Sequence, residues 1–314
     1  MLGIPVISCP TRTMGCAVEE LGFEPRAMNR HSELAAIRHA YAKQLLATAG
    51  VSDPRLEQAY ATVPREHFLG PGPWKIGTQE GTYFATPSAD PAHLYTDSVV
   101  SILPERGLNN GQPSFHVSLM ASAAPRDGKH VVHIGAGPGY YSALLAELVG
   151  PDGRVTAIEF DADLAERARL NLQRWPNTRV IQGDGTKIAF GEADIIYVCA
   201  GATRPADLWL DQLAEGGRLI IPLTIDETDT ARFEALAPGA VFRIERRGHD
   251  YLARWISVVA IFPCAGARDE LSGRALAEAL RNGRAKEVTR LYRSNARPDE
   301  QCWLRAPGWC LAYC

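Results

Sequence analysis

The sequence predicts an α/β fold, a doubly wound parallel sheet with helices between its strands, and three observations carry that expectation. Between residues 130 and 222, short apolar runs recur as strand candidates: HVVHI, RVTAI, TRVIQ, ADIIYVC and GRLIIPL. Helical stretches separate them, namely YYSALLAELV, DLAERARLNLQRW and PADLWLDQLA. A glycine-rich turn, GAGPG, joins the first strand to the first helix. Parallel strands need crossover connections, and strands alternating with helices of this length supply them in the right-handed sense.

Upstream, the first residues (MLGIPVISCPTRTMG) have an apolar run with no basic residue ahead of it and two prolines within, so no secretory signal is expected. Met14 and Met28 are plausible alternative starts, and residues 1–30 read as a disordered extension. Ser32 is placed to cap a helix through ELAAIRHAYAKQLLATA, where Leu34, Ile37, Tyr41, Leu45 and Leu46 recur at helical spacing and Gly50 supplies a stop. Asp53 followed by Pro54 opens a second, short helix that ends before Pro64. From REHFLGPGPW to DPAHLY the chain is rich in Gly, Pro and aromatics without a period and reads as an ordered loop region. After the last parallel strand, AVFRIERRG and YLARWISVVAIFPC with HD between them predict an antiparallel hairpin closing the sheet. The tail holds one helix, ELSGRALAEALRNG, and a Trp- and Cys-containing end.

Composition narrows the function classes. Across 314 residues, 33 basic and 36 acidic side chains nearly cancel, with both signs scattered, so neither nucleic acid nor anionic membrane is an expected partner. No run approaches the ~18 apolar residues of a membrane span. Seven cysteines (Cys9, Cys16, Cys199, Cys264, Cys302, Cys310, Cys314) are odd in number, dispersed and without metal-ligand spacing. They fit a reduced, cytoplasmic compartment, and no metal site is expected.

The glycine turn is the centre of the functional reading. Gly135, Ala136, Gly137, Pro138 and Gly139 occupy a strand-to-helix turn, where glycine permits unusual dihedrals and close ligand approach. Glu159 ends the next strand, where a carboxylate can accept both ribose hydroxyls of a nucleotide, and Phe160 follows it. The dinucleotide fingerprint would need glycine where Tyr140 stands, which disfavours a hydride-transferring dehydrogenase. G-x-G-x-G with a downstream acid suits S-adenosylmethionine instead, released as S-adenosylhomocysteine. In GDG at 183–185, Asp184 can face the adenine amino group and Gly185 leaves room for the ring.

VPREHFLGPG, GQPSFHVSLM, VVHIGAGPGYYSALLAELVG, GRVTAIEFD, VIQGDG, LDQLAEGGRLIIPL and AIFPC, in this order over roughly residues 33–265, resemble the protein-L-isoaspartate O-methyltransferases. The resemblance implies a class I methyltransferase (Rossmann-like) fold, S-adenosylmethionine as donor and a carboxylate as acceptor. It divides the chain into N-terminal helices and acceptor-side loops (31–127), a cofactor-binding α/β domain (128–265) and an extension (266–314). Two departures stand out. His133 replaces the acidic residue usual two places before the first glycine, and reads as a core histidine. The family's Thr-Ile-Ser type triplet, whose serine is assigned to catalysis, aligns with Asn109, Asn110 and Gly111, so the serine is missing. His116 aligns with a cofactor-touching histidine of some relatives, and Ser114 lies three positions from the lost serine.

Methyl transfer to a carboxylate removes no proton, so the loss is survivable: alignment and exclusion of water remain. Asn109 and Asn110 can hold a carboxylate or peptide backbone, Gly111 opens space, and NNG is equally a tight turn. The acceptor is expected to be a carboxylate of a peptide, protein or small acid other than ordinary isoaspartate, aspartate in a ribosomally made peptide being one class. Trp74, Tyr83, Phe84 and Tyr95 are candidate pocket aromatics. The competing readings are a non-catalytic cofactor-binding partner or scaffold protein, and nucleic-acid methylation, disfavoured by CAGATRP at the fourth strand's exit.

Overall fold

A computed structural model describes residues 30–78, 82–225, 237–294 and 297–314. The disorder expected over residues 1–30 and both N-terminal cysteines therefore lie outside the described residues, apart from Arg30, which is helical. Helix α1 (Arg30–Ala49) buries Tyr41, Ala42, Leu45 and Leu46 on one face. Ser32 sits inside its first turn rather than at its cap. Asp53 caps α2 (Pro54–Thr62), its carboxylate accepting from the backbone N–H of Arg55 and Leu56. After the short α3 (Glu66–Leu69) come two small antiparallel strand pairs, the first within the described part of the Gly/Pro-rich stretch. These pair β1 (Lys75–Gly77) with β2 (Tyr83–Ala85) and β3 (Ser101–Leu103) with β4 (Leu108–Asn109). Helix α4 (Pro113–Ala123) follows, with proline at its first position where no N–H is missed.

Next come β5 (His130–Ile134), α5 (Tyr140–Val149), β6 (Arg154–Glu159), α6 (Ala162–Asn171), β7 (Thr178–Gln182), β8 (Ala193–Val198), α7 (Asp207–Asp211) and β9 (Leu213–Thr224). The five strands are parallel in the spatial order β7-β6-β5-β8-β9. The helix expected over PADLWLDQLA shrinks to five residues, because Leu213 already pairs with Ala193 as the start of β9.

β10 (Ala237–Arg247) and β11 (Asp250–Ile261) form the expected antiparallel hairpin, with Gly248 and His249 at its turn and Asp250 already in the strand. Gly248 has φ +60°, the left-handed conformation that suits it to the turn. The hairpin does not finish the sheet. Beyond α8 (Glu270–Asn282), β12 (Arg290–Tyr292) pairs with β11, and β13 (Cys302–Ala306) and β14 (Trp309–Ala312) follow, giving ten strands in one sheet.

One face of this sheet carries α1, α2, α4 and α5, packed through Leu45, Tyr60, Met120 and Leu144 onto Val131, Tyr197 and Ile220. The other face carries α7 and α8, and the tail's Trp303, Trp309 and Leu311 join that core with Trp209 and Leu276. The strand order reverses between β5 and β8, whose carboxyl ends therefore border a crevice, the usual ligand position in such sheets.

Candidate active site

A cavity of about 550 Å³ opens at that crevice, within the range of roughly 300–1,000 Å³ typical of small-molecule sites. Three walls line it. The first is the glycine turn Gly135–Pro138 with Tyr140 and Tyr141, the second Asn109–Gln112 with Phe115 and His116, and the third Cys199 with the end of β11 and its exit, Val258–Phe262.

The turn is shaped by its backbone. Gly135, Gly137 and Gly139 all have positive φ, and a side chain at Gly135 would press on the Cys199 carbonyl at 3.3 Å. Nothing lies within 4 Å of where a Cβ at Gly137 would stand, so the main chain there is open to a ligand. Glu159 is almost fully buried, and burial raises its carboxyl above the usual range while the N–H groups of Asp161 and Gly137 counteract that. Its Oε2 accepts from Gly137 N at 2.6 Å and its Oε1 from Asp161 N at 2.9 Å. Each oxygen keeps a further lone pair for a ligand hydroxyl. Phe160, next in the chain, is 58% exposed, an aromatic surface free for stacking. These residues fit S-adenosylmethionine: an open glycine cradle, a carboxylate with spare acceptors and an exposed ring.

The second glycine motif is arranged otherwise. The Asp184 carboxylate binds the Thr186 N–H and hydroxyl, faces Lys187 Nζ at 3.1 Å, and lies against Gly266 of the C-terminal extension. Burial pushes its pKa up, and the Thr186 and Lys187 contacts outweigh that, leaving it below the usual value. The space beside Gly185 that the sequence reading reserves for an adenine ring is filled by Ile134, 2.7 Å from where a Cβ would stand. The Gly185 carbonyl accepts from Trp209 Nε1. Neither Asp184 nor Gly185 lines the cavity, and Glu159 and Phe160 also lie outside its lining.

The loop wall is set from beneath by Arg65, a fully buried guanidinium that donates to the carbonyls of Leu94, Thr96 and Ser98 and to Asn110 Oδ1. Asn110 Oδ1 also accepts from Val100 N, so this oxygen anchors the loop, while the Nδ2 of the same cavity-lining side chain is buried without a hydrogen-bond partner. Asn109 Oδ1 accepts from Gly111 N and its Nδ2 donates to the Tyr83 hydroxyl, making NNG a tight turn that also walls the cavity. Ser114 is withdrawn: its hydroxyl and N–H both donate to Asp97, and it does not border the cavity. This corrects the expectation of a reactive-wall serine there.

Gly111 does not open space. Its φ is +72°, and a Cβ built there would lie 2.5 Å from His116 Nε2. The imidazole occupies that volume, stacked on Tyr141 with centroids 3.6 Å apart and hydrogen-bonded through Nδ1 to the Tyr197 hydroxyl at 2.8 Å. Burial lowers its pKa to about 3, so it is neutral at physiological pH. His133 is the core histidine expected, fully buried between Ser142 Oγ and Cys199 Sγ, and burial lowers it likewise to about 3.

Trp74 and Tyr95 are buried away from the cavity, Phe84 is exposed, and Tyr83 touches it only through Asn109. Sequence reasoning passed over Arg65, Asp97, Tyr141, Tyr197, Cys199 and the β11 end. Cys199 had a signal, its place at the exit of the fourth strand, whereas the others are recruited by packing. Among the described residues there is no cluster able to hold a metal ion, and no helix is long and apolar enough to cross a membrane.

Residues 38–243 match the family model for protein-L-isoaspartate(D-aspartate) O-methyltransferase. A protein-L-isoaspartate O-methyltransferase of Methanopyrus kandleri is 34% identical over 191 residues, 59% of this chain and 76% of that protein. One of Aeropyrum pernix is 32% identical over 221 residues, 69% of this chain and 76% of that one. A solved protein-L-isoaspartate O-methyltransferase superposes with a TM-score of 0.60 at 24% identity, covering 82% of this chain and 74% of its own. A Plasmodium falciparum structure in complex with S-adenosyl-L-homocysteine does so with a TM-score of 0.55 at 19% identity, covering 72% and 97%. The glycine cradle, its carboxylate and the family match converge: this chain belongs to the protein-L-isoaspartate(D-aspartate) O-methyltransferase family and is an S-adenosylmethionine-dependent methyltransferase.

Proposed function

We propose that this enzyme methylates a carboxylate of a peptide or protein acceptor, and that this carboxylate is not the isoaspartyl group of ordinary damage repair. The observation that carries the second half is the contact at Gly111. The position aligned with the family's serine is held at positive φ, and the volume a serine side chain would take is filled by the His116 imidazole. Serine and this histidine placement exclude one another. The acceptor therefore meets a neutral imidazole face, Tyr141 and the Asn109 turn in place of a hydroxyl.

S-adenosylmethionine supplies an electrophilic sulfonium methyl, and an acceptor carboxylate is already anionic at neutral pH, so transfer requires alignment rather than proton removal. The glycine turn and Glu159 are suited to holding the donor, and Phe160 to covering its adenine. His116 and Tyr141 brace the junction between donor and acceptor. Val99, Ile102, Phe115 and Ile261 form an apolar rim that excludes water from the acceptor end.

The test is methyl transfer from labelled donor to matched isoaspartyl peptides, aspartyl peptides and small carboxylic acids, with base-labile label counted as ester. Preferential labelling of aspartyl over isoaspartyl peptides is expected. Isoaspartyl labelling at the higher rate would overturn the acceptor assignment, and base-stable label would overturn the ester.

A further inference from the structure

None of the described residues lining the cavity is a lysine or arginine, and the one histidine there is neutral, so an anionic acceptor finds no cation at the reacting end. Cations do gather further along the same sheet face. Arg243 and Arg254 are cross-strand partners on β10 and β11, and Arg218 on β9 is the partner of Glu245. Alternation along β10 puts Arg243, Glu245 and Arg247 on one side, the side that also carries α4. The α4 end is in contact: Arg218 donates to the Ala123 carbonyl.

Glu245 is the acid within this group. It pairs with Arg218 at 3.3 Å and with Arg247, and has Arg243 at 3.9 Å. One buried carboxylate thus faces three guanidinium groups. Arg243 is half-buried, and burial together with Arg218, Arg254 and Arg247 lowers its pKa, with only Glu245 opposing. Arg254 is exposed. A partly desolvated excess of positive charge is what an incoming carboxylate would relieve.

The patch is continuous with the reaction cavity. Past the bulge opposite Val241, the face that carries Arg254 reaches the cavity at Val259, five residues along β11 and about 16 Å away. Ile256, on the way, and Val259 are only partly buried, and Phe115 of α4 borders the cavity end of the strip. An extended peptide laid along β11 would cover the same distance in about five residues.

We propose that the strip of β11 beside α4 is the docking track for the acceptor chain. Arg243, Arg254 and Arg247 take acidic side chains about five residues from the methylated carboxylate. The partner is a peptide or protein segment with an acidic flank. This rests on the reading of a carboxylate acceptor given above.

Fluorescein-labelled peptides test it: each carries one aspartate, with a block of glutamates three to six residues away on either side, or serines in their place. Anisotropy should show the wild-type enzyme binding the glutamate peptide about tenfold tighter at low salt, a preference that salt screens away. Arg254→Glu, on an exposed side chain, should remove about three- to fivefold of it. Adding Arg243→Gln should remove most of the rest, with S-adenosylmethionine affinity by calorimetry unchanged. Equal affinity of the wild type for both peptides would overturn the track. So would a preference that is undiminished in Arg254→Glu, a variant that keeps the test open should the double variant misfold. Glutamate-dependent binding without methyl ester would leave the track standing and sink the proposed acceptor chemistry. Ester formation indifferent to the flank would do the reverse.

Discussion

The two walls that meet at the cavity are built on different principles. The glycine turn is a backbone object: three positive-φ glycines and one carboxylate 22 residues downstream define it, and its partners lie in the same βαβ unit. The loop from Asn109 to His116 is a side-chain object assembled from afar. Tyr197, 81 residues on, holds His116; Arg65, 45 residues back, holds Asn110; Asp97 holds Ser114. A turn of the first kind tolerates little change, because its shape rests on positive-φ glycines. One of the second kind can exchange a serine for a glycine and a histidine without moving its neighbours, which is where an acceptor specificity can drift.

The sharpest way to break this contrast is Gly111→Ser. Strain at φ +72° and the overlap with His116 should together cost about 2–5 kcal/mol of stability, read by chemical denaturation. A serine accepted without loss would mean that the loop is as permissive as an open turn. On the other wall, Glu159→Ala should weaken S-adenosylmethionine binding by about 1.5–3 kcal/mol, the scale of a hydrogen bond to a charged group. Calorimetry giving unchanged affinity would remove Glu159 from the donor site.

Acid should affect the two buried histidines together. His116 and His133 have folded pKa values near 3 against an ordinary 6.5, so the unfolded chain binds more protons between those limits. Their contribution is fully present above pH 6.5 and is lost as pH falls toward 3, by up to about 1.4 kcal/mol per pH unit for each histidine. Denaturation midpoints at pH 7.5, 6.5 and 5.5 should show the decline, and His133→Gln should flatten it. A variant with the wild-type slope would show that burial of His133 does not drive the effect. The smallest expected change is Phe160→Ala, which should lower donor affinity by about 1 kcal/mol if its exposed ring stacks on adenine.

The central sheet was legible because its signals are local. HVVHI, TRVIQ and YYSALLAELV are the observed β5, β7 and α5, since apolar period and flanking turns determine such elements without help from elsewhere. PADLWLDQLA was misread because it is amphipathic enough for a helix, while pairing of Leu213 with Ala193 draws its end into a strand. The tail's strands were not legible, because short segments such as Arg290–Tyr292 become strands only by pairing with the edge that β11 presents.

By itself, the sequence determined the parallel α/β order, the glycine cradle with Glu159 and the family, because each depends on residue type at short range: positive φ needs glycine, and the strand-turn-helix context is contiguous. Tertiary structure alone decided that Asn110 is an anchor, that Ser114 is bound to Asp97, and that Gly185 makes room for Ile134. It also decided that three arginines share one glutamate. Those outcomes depend on which distant side chain arrives first in a given volume or beside a given charge. The glycine at 111 belongs to both: its identity was visible in the chain, and its reason, the His116 ring already in the serine's place, only in the fold.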